Sequence, residues 1–296
     1  MNTFPAFSFV RALGEALASA VQWRVWLLWI LALAIPAVLG VAPLQATLTG
    51  LLDHLPEGER LAHGFTAAQA GDLMSGLSDA GGFSVALVGA TVVALLLAPW
   101  LTGVAITAAR AQRPPRFAEL VRGGLDEYPR QFRLLLWAFV VYLVALGVFF
   151  AVSHWANERA EDMVLESSAR LGTRLALVVG VLVFIAAHAS LEAARAFLVV
   201  RPNDGGALRA WWRAVKLLAR RPLAGFGLYL GVLLAGLLVA GLIAIVRIRI
   251  EPIGWTWVIV ALVLTQLGVA AMAWGRVARL RSLAHLAQDE ALRRYR

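Results

Sequence analysis

The chain has 296 residues, of which 60% are hydrophobic and only 15% are charged, and its mean hydropathy is +0.75. So few polar residues cannot cover the surface of a water-soluble globule of this size. Cysteine is absent, which excludes a disulfide framework, a thiolate nucleophile and a cysteine-based metal site. The net charge of +9 combines 27 basic with 18 acidic residues, and their placement along the chain is more informative than their sum.

Six apolar runs contain no Asp, Glu, Lys or Arg, and in chain order they cover residues 25–52, 80–109, 134–156, 175–191, 223–246 and 252–275. A helix of roughly 20 residues crosses about 30 Å of hydrocarbon, so each run predicts one membrane span. The sequence therefore predicts an all-α polytopic bundle of six transmembrane helices in a single domain. The predicted spans are approximately 24–43, 83–108, 134–154, 174–195, 223–246 and 254–276.

The basic residues are unevenly divided between the two sides of this bundle. The segments before span one, between spans two and three, between spans four and five, and after span six hold 21 Lys and Arg residues, whereas the other three loops hold six. Basic residues near span ends remain on the cytoplasmic side during insertion. We therefore expect a bacterial inner-membrane protein with both termini in the cytoplasm. Because the positive charge then lies beside an anionic lipid surface, membrane lipids rather than nucleic acid are the expected partners.

A threefold repeat emerges when the cytoplasmic span ends are aligned. Spans two, four and six finish on Ala-Ala-Arg, Ala-Ala-Arg and Trp-Gly-Arg, at Arg110, Arg195 and Arg276. Segments 7–23, 117–132 and 207–221 each mix apolar with polar residues before an odd-numbered span. The pattern predicts three hairpins, each preceded by a cytoplasmic interfacial helix. An Arg after a span is also common in any membrane protein, so coincidence is the alternative to true repetition.

One polar cluster falls inside a predicted span. His188, Glu192 and Arg195 share one face of span four at spacings of four and three residues, and Gln266 of span six is the candidate neighbour. Two interpretations remain open. In the first, Glu192 and Arg195 form an interfacial ion pair and His188 donates one interhelical hydrogen bond, so Glu192→Gln should have only a mild effect on folding and function. Alternatively, they form a substrate, proton or lipid site, since ionisable groups at membrane depth usually face a bundle interior.

The segment before span five carries an uninterrupted basic stripe beside apolar residues and tryptophans. Basic side chains at this spacing repel one another along a helix, which favours an anionic surface that offsets the repulsion. Lipid phosphates meet this requirement, and an ordinary positively charged cytoplasmic loop is the alternative. The candidate lipid contacts are Arg209, Arg213, Lys216 and Arg220.

The catalytic motifs HExxH, GxxxxGK, GxSxG and Ser-x-x-Lys are all missing, so no enzyme activity and no cofactor are predicted. With its six-span layout and segments such as 123–137 (GGLDEYPRQFRLLLW), the chain resembles a broad set of uncharacterised bacterial six-span inner-membrane proteins. These include the membrane domain attached to some glycerophosphodiester phosphodiesterases, whose catalytic domain has no counterpart here. The resemblance implies an accessory part of an envelope system.

Together these features favour a non-enzymatic scaffold or accessory subunit that presents a basic cytoplasmic face to lipid and to a soluble protein partner. A small transporter or lipid-handling permease is the second hypothesis, supported by the intramembrane cluster and by Pro36 and Pro99 inside spans one and two. An intramembrane enzyme is the third. A continuous polar path from the cluster to one surface would favour transport, and a sealed bundle would favour the scaffold.

The charge division gives a topology that labelling can test. Since the native chain has no cysteine, single cysteines introduced at Ala118 and Ala207 should resist a membrane-impermeant reagent in sealed cells. A cysteine at Ala67, in the predicted external loop, is the positive control and should react. External labelling at Ala118 or Ala207 would contradict the predicted orientation.

Overall fold

The computed structural model describes residues 9–52, 71, 75, 81–161, 166–200, 206–250 and 255–293. This part of the chain is helical apart from short turns, and it contains no strand. Its helices, numbered here in chain order, are α1 (Phe9–Ser19), α2 (Trp23–Leu52), α3 (Gly81–Arg110), α4 (Phe117–Glu161), α5 (Glu166–Val200), α6 (Ala207–Arg220), α7 (Pro222–Ile248) and α8 (Trp255–Arg293).

Six of these helices, α2, α3, α4, α5, α7 and α8, are long and apolar enough to cross a membrane. This finding confirms the predicted all-α polytopic bundle and makes the chain a multi-pass membrane protein. The predicted loop 51–82 lies almost entirely outside the described residues.

Two of the three predicted interfacial segments form separate helices, α1 and α6, and the third is built differently. Residues 117–132 are the first part of α4, which runs without interruption for 45 residues, or about 67 Å. Pro129 lies inside α4 but does not end it, although a proline removes one backbone hydrogen bond. Because α4 exceeds the roughly 30 Å of a hydrocarbon core, part of it must extend beyond the membrane.

The even-numbered spans form the centre of the bundle. Helices α3, α5 and α8 contact one another, and α2, α4 and α7 each pack beside their hairpin partner. We call the end of the bundle where α2, α4 and α7 begin and α3, α5 and α8 finish the basic end. Helices α1 and α6 also lie there, α1 against α8 and α6 against α5.

The hydrophobic core is concentrated at this basic end. Its fully buried side chains include Val104 and Ile106 of α3, Leu191 of α5, and Leu280 and Leu283 of α8. Toward the opposite end, large apolar side chains of the spans are exposed, as expected of surfaces solvated by lipid. Examples are Val85, Leu177, Val181, Leu242 and Trp255.

Glycines allow α3 and α4 to approach closely next to this core. A Cβ atom on Gly103 would lie 2.7 Å from the carbonyl oxygen of Gly124, and one on Gly123 would collide with the side chain of Thr107. Such contacts are too short for any side chain, so glycine is required for this backbone approach. Small residues at helix contacts are typical of membrane bundles, where dispersion forces rather than hydrophobic burial drive packing.

We expect Gly103→Ala to destabilise the protein by about 1–3 kcal/mol, because the added methyl group collides with the backbone of α4. Thermal unfolding in detergent measures the effect. Gly89→Ala on the same helix is the matched control, since its Cβ would meet nothing within 4 Å. It should be neutral or slightly stabilising because alanine favours helix more than glycine. Equal melting temperatures for both variants would show that the close approach contributes nothing.

Candidate functional site

Helix α5 places the three predicted residues of the polar cluster together, with Glu192 at their centre. Its side chain is 0% exposed, and Arg195 Nη1 donates a hydrogen bond to Oε1 at 2.5 Å. His188 Nε2 lies 4.0 Å from the same oxygen. The pair is therefore enclosed by protein, whereas the ion-pair interpretation of the sequence placed it at the water interface.

Two further arginines, both from α8, reach Glu192. Arg276 Nη2 lies 3.9 Å from Oε1, and Arg279 Nε lies 3.9 Å from Oε2. The sequence analysis did not include either residue in the cluster. A signal for Arg276 existed, because the repeat aligns it with Arg195; Arg279 follows one turn later on the same helix.

The cluster consequently holds three guanidinium groups and one carboxylate. The side chains of Arg195, Arg276 and Arg279 are 11%, 22% and 14% exposed, respectively. Among the described ion pairs, each of them has Glu192 as its acidic partner. Glu192 Oε2 and the Nε atoms of Arg276 and Arg279 are buried without a hydrogen-bond partner in the described contacts. This balance leaves an excess of positive charge and of hydrogen-bond donors.

Arg276 connects the cluster to other helices. Its Nη2 atom donates to Thr102 Oγ1 of α3 at 2.9 Å, and its Cζ atom lies 5.8 Å from the ring centre of Trp29 in α2. One side chain therefore joins α8 to α5, α3 and α2.

His188 occupies an aromatic environment between helices. The Tyr142 hydroxyl of α4 and His188 Nδ1 share a hydrogen bond of 2.7 Å, and the ring of Tyr229 in α7 lies 5.7 Å away, centre to centre. His188 thus shares an interhelical hydrogen bond with a tyrosine of α4. Its side chain remains 28% exposed, unlike that of Glu192.

Gln266, the predicted neighbour, is half-buried on α8. No hydrogen bond in the described part of the chain links Gln266 to His188 or Glu192. The hydrogen-bond partner that the structure gives His188 is Tyr142.

A second buried carboxylate at the basic end was missed by the sequence analysis. Glu127 Oε1 of α4 accepts hydrogen bonds from Arg110 Nη1 at 2.6 Å and from Arg130 Nη1 at 3.4 Å. Arg110 also donates to the last carbonyls of α5, from Nε to Val199 at 3.0 Å and from Nη2 to Leu198. A sequence signal for this carboxylate was present in segment 123–137, because Gly124 and Glu127 of that segment both face α3.

Arg281 forms a third connection at this end. Its Nη1 atom donates to the Ser19 carbonyl of α1 at 2.6 Å, and Nη2 donates to the Ala108 carbonyl of α3 at 2.8 Å. Helix C-termini leave carbonyl groups without intrahelical partners, and a cation is favourable there. Arginines therefore close the ends of α1, α3 and α5.

Helix α6 displays the predicted basic stripe above an apolar underside. Arg209, Lys216 and Arg220 are exposed and Arg213 is half-buried. Arg220 Nη1 lies 3.4 Å from Glu290 Oε1 of α8, a partner that the sequence did not reveal. The underside packs Ala210, Ala214, Leu217 and Leu218 into the core.

Trp211 anchors α6 to the spans. Its Nε1 atom donates to Ser190 Oγ of α5 at 3.0 Å, and its ring packs edge-on against Trp137 of α4 at 5.2 Å between centres. Trp212, by contrast, is exposed and lies 5.6 Å from Lys216 Nζ. The outer surface of α6 thus combines basic side chains with an exposed aromatic ring, a composition typical of helices at a lipid interface.

Comparison with protein-family models, curated proteins and solved structures yields no match to this chain. Within the described residues no group of three or more His, Cys, Asp or Glu side chains is arranged to hold a metal ion. The described contacts of the candidate site are ion pairs and hydrogen bonds.

Full burial changes the outcome expected for Glu192→Gln. Removing the carboxylate leaves three partly buried guanidinium groups uncompensated, so we expect a loss of about 3–5 kcal/mol in stability. Thermal unfolding in detergent measures it. The control is Glu158→Gln, an exposed acid paired only with His154 in the described contacts, which should stay within about 0.5 kcal/mol of wild type. An unchanged melting temperature for Glu192→Gln would mean that the cluster does not hold the bundle together.

Proposed function

We propose that this multi-pass membrane protein is a non-enzymatic scaffold or accessory subunit of a bacterial inner-membrane complex. The observation that carries the proposal is the complete burial of Glu192, whose described arginine partners lie on α5 and α8. A carboxylate that moves protons or binds substrate needs access to water or ligand. An enclosed carboxylate that cross-links helices instead supports a structural role.

The basic end supplies the surface for this role. Arg110 and Arg281 bind helix-end carbonyls there and so stiffen the end, while α6 keeps Arg209 and Lys216 exposed. In the proposed orientation, with both termini cytoplasmic, α6 faces an anionic leaflet and any soluble partner. Membership of the bacterial six-span proteins that the chain resembles remains a prediction consistent with this role.

A transporter or lipid-handling permease is the second candidate, and a specific observation favours it. His188 is partly exposed beside the enclosed cluster, and two buried guanidinium Nε atoms lack hydrogen-bond acceptors in the described contacts. An anionic headgroup or substrate that entered beside His188 would provide acceptors. On this hypothesis Tyr142 and Tyr229 would line the entrance.

A double variant of α6 tests the scaffold proposal. Arg209→Gln with Lys216→Gln removes two exposed charges, so folding should be unchanged. Purified from native membranes in mild detergent, wild type should retain a specific protein partner, and the double variant should retain clearly less. Charged groups at a protein interface act through electrostatic complementarity with the partner, so the loss of two of them should weaken its retention.

Arg174→Gln, an exposed charge on α5 near the opposite end, is the matched control and should retain the partner. If no protein accompanies wild type and purified proteoliposomes instead show solute flux or lipid movement, the permease replaces the scaffold as the better hypothesis.

A further inference from the structure

An apolar groove of about 470 Å³ runs along α3 between α2 and α4. This volume falls within the range of roughly 300–1,000 Å³ typical of ligand sites. Its walls include Leu31 and Ile35 of α2, Leu96 and Trp100 of α3, and Leu125 and Tyr128 of α4. It is a different surface from α6 and from the Glu192 cluster.

The groove exists because α2 and α4 both pack on α3 but are joined to each other mainly at the basic end. There Trp23 meets Phe117 edge-on at 5.4 Å between ring centres, and Arg24 Nη1 donates to the Pro115 carbonyl at 3.0 Å. Beyond this junction, the groove occupies the space between α2 and α4.

The surroundings of the groove restrict what fills it. Leu31 and Ile35 of α2 are exposed along its length, on a helix that belongs to the membrane-spanning set. Hydrocarbon chains surround such a surface in a bilayer, and an unpaired polar ligand would be costly there. A lipid acyl chain therefore matches the walls.

The basic end of the groove carries positive charge. Arg24 lies on the same face of α2 as Leu28 and Leu31, one turn closer to the basic end, and Arg122 lies one turn before Leu125 on α4. Neither arginine has an acidic partner among the described ion pairs. Arg24 Nη1 donates to the Pro115 carbonyl, and the other N–H groups of this guanidinium can form charge-assisted hydrogen bonds with a phosphate.

We propose that this groove binds one anionic phospholipid, with an acyl chain along α3 and its phosphate at Arg24. The charge at one end and the hydrocarbon walls beyond it match the two parts of that molecule. Zwitterionic phospholipids share the acyl chain but offset the phosphate charge with a cationic group, so they should bind less well.

Native mass spectrometry of the full-length protein with added phosphatidylglycerol or phosphatidylethanolamine tests this site. Wild type should retain phosphatidylglycerol preferentially. Arg24→Gln should weaken its binding about fivefold, the factor expected for one basic side chain near a lipid phosphate, and Arg24→Lys should largely restore it. Leu31→Trp should displace the lipid by filling the groove.

Two matched controls separate the groove from the general lipid-facing surface. Leu136→Trp changes a side chain that is 57% exposed, as Leu31 is, but that lies outside the groove on α4. Arg133→Gln removes an exposed charge from α4, also outside the groove. Both variants should keep wild-type binding.

Equal retention of the two lipids by wild type would overturn the proposed headgroup contact. Phosphatidylglycerol binding that survives both Arg24→Gln and Leu31→Trp, in protein with wild-type melting behaviour, would overturn the site. If Leu31→Trp fails to fold, Arg24→Gln alone decides, and an undiminished phosphatidylglycerol preference in it would reject the proposal.

Discussion

The enclosed carboxylate of Glu192 is the constraint on which the centre of the bundle depends. A buried ion is tolerated only when paired, so α8 must place its arginines beside α5. Because Arg276 also contacts Thr102 and Trp29, the same requirement fixes α8 relative to α3 and α2. One acid thereby sets the relative positions of four helices. Apolar surfaces solvated by lipid specify such positions poorly.

The two ends of the bundle are stabilised by different forces. Near the basic end, buried leucines, alanines and valines pack as they do in soluble proteins, together with α1 and α6. Toward the opposite end the spans expose apolar side chains, for which lipid is as good a solvent as protein. Between helices in the membrane, close packing at small residues, as at Gly103 and Gly124, takes the place of hydrophobic burial.

Features that the bilayer imposes locally were predictable from the sequence. Span length, the separate helices α1 and α6, and the common face of His188, Glu192 and Arg195 each follow from a pattern within one segment. The α8 arginines, the Tyr142 partner of His188 and the Arg110 contact with Glu127 depend on how helices distant in sequence are aligned. No pattern within one segment encodes that alignment, which is also why depth alone pointed to Gln266, whereas the described hydrogen-bond partner of His188 is Tyr142.

The net charge of +9 overstates what a partner at the basic end would meet. Arg110 and Arg281 donate to helix-end carbonyls, and the arginines around Glu192 face inward, so these charges serve the fold. Arg209 and Lys216 on α6 remain exposed, and Arg24 lies on α2 one turn before Leu28 of the apolar groove. Among the described residues, these two places each combine basic side chains with exposed apolar surface. That combination distinguishes a lipid interface from a purely electrostatic one, because water-exposed charge alone is screened by salt.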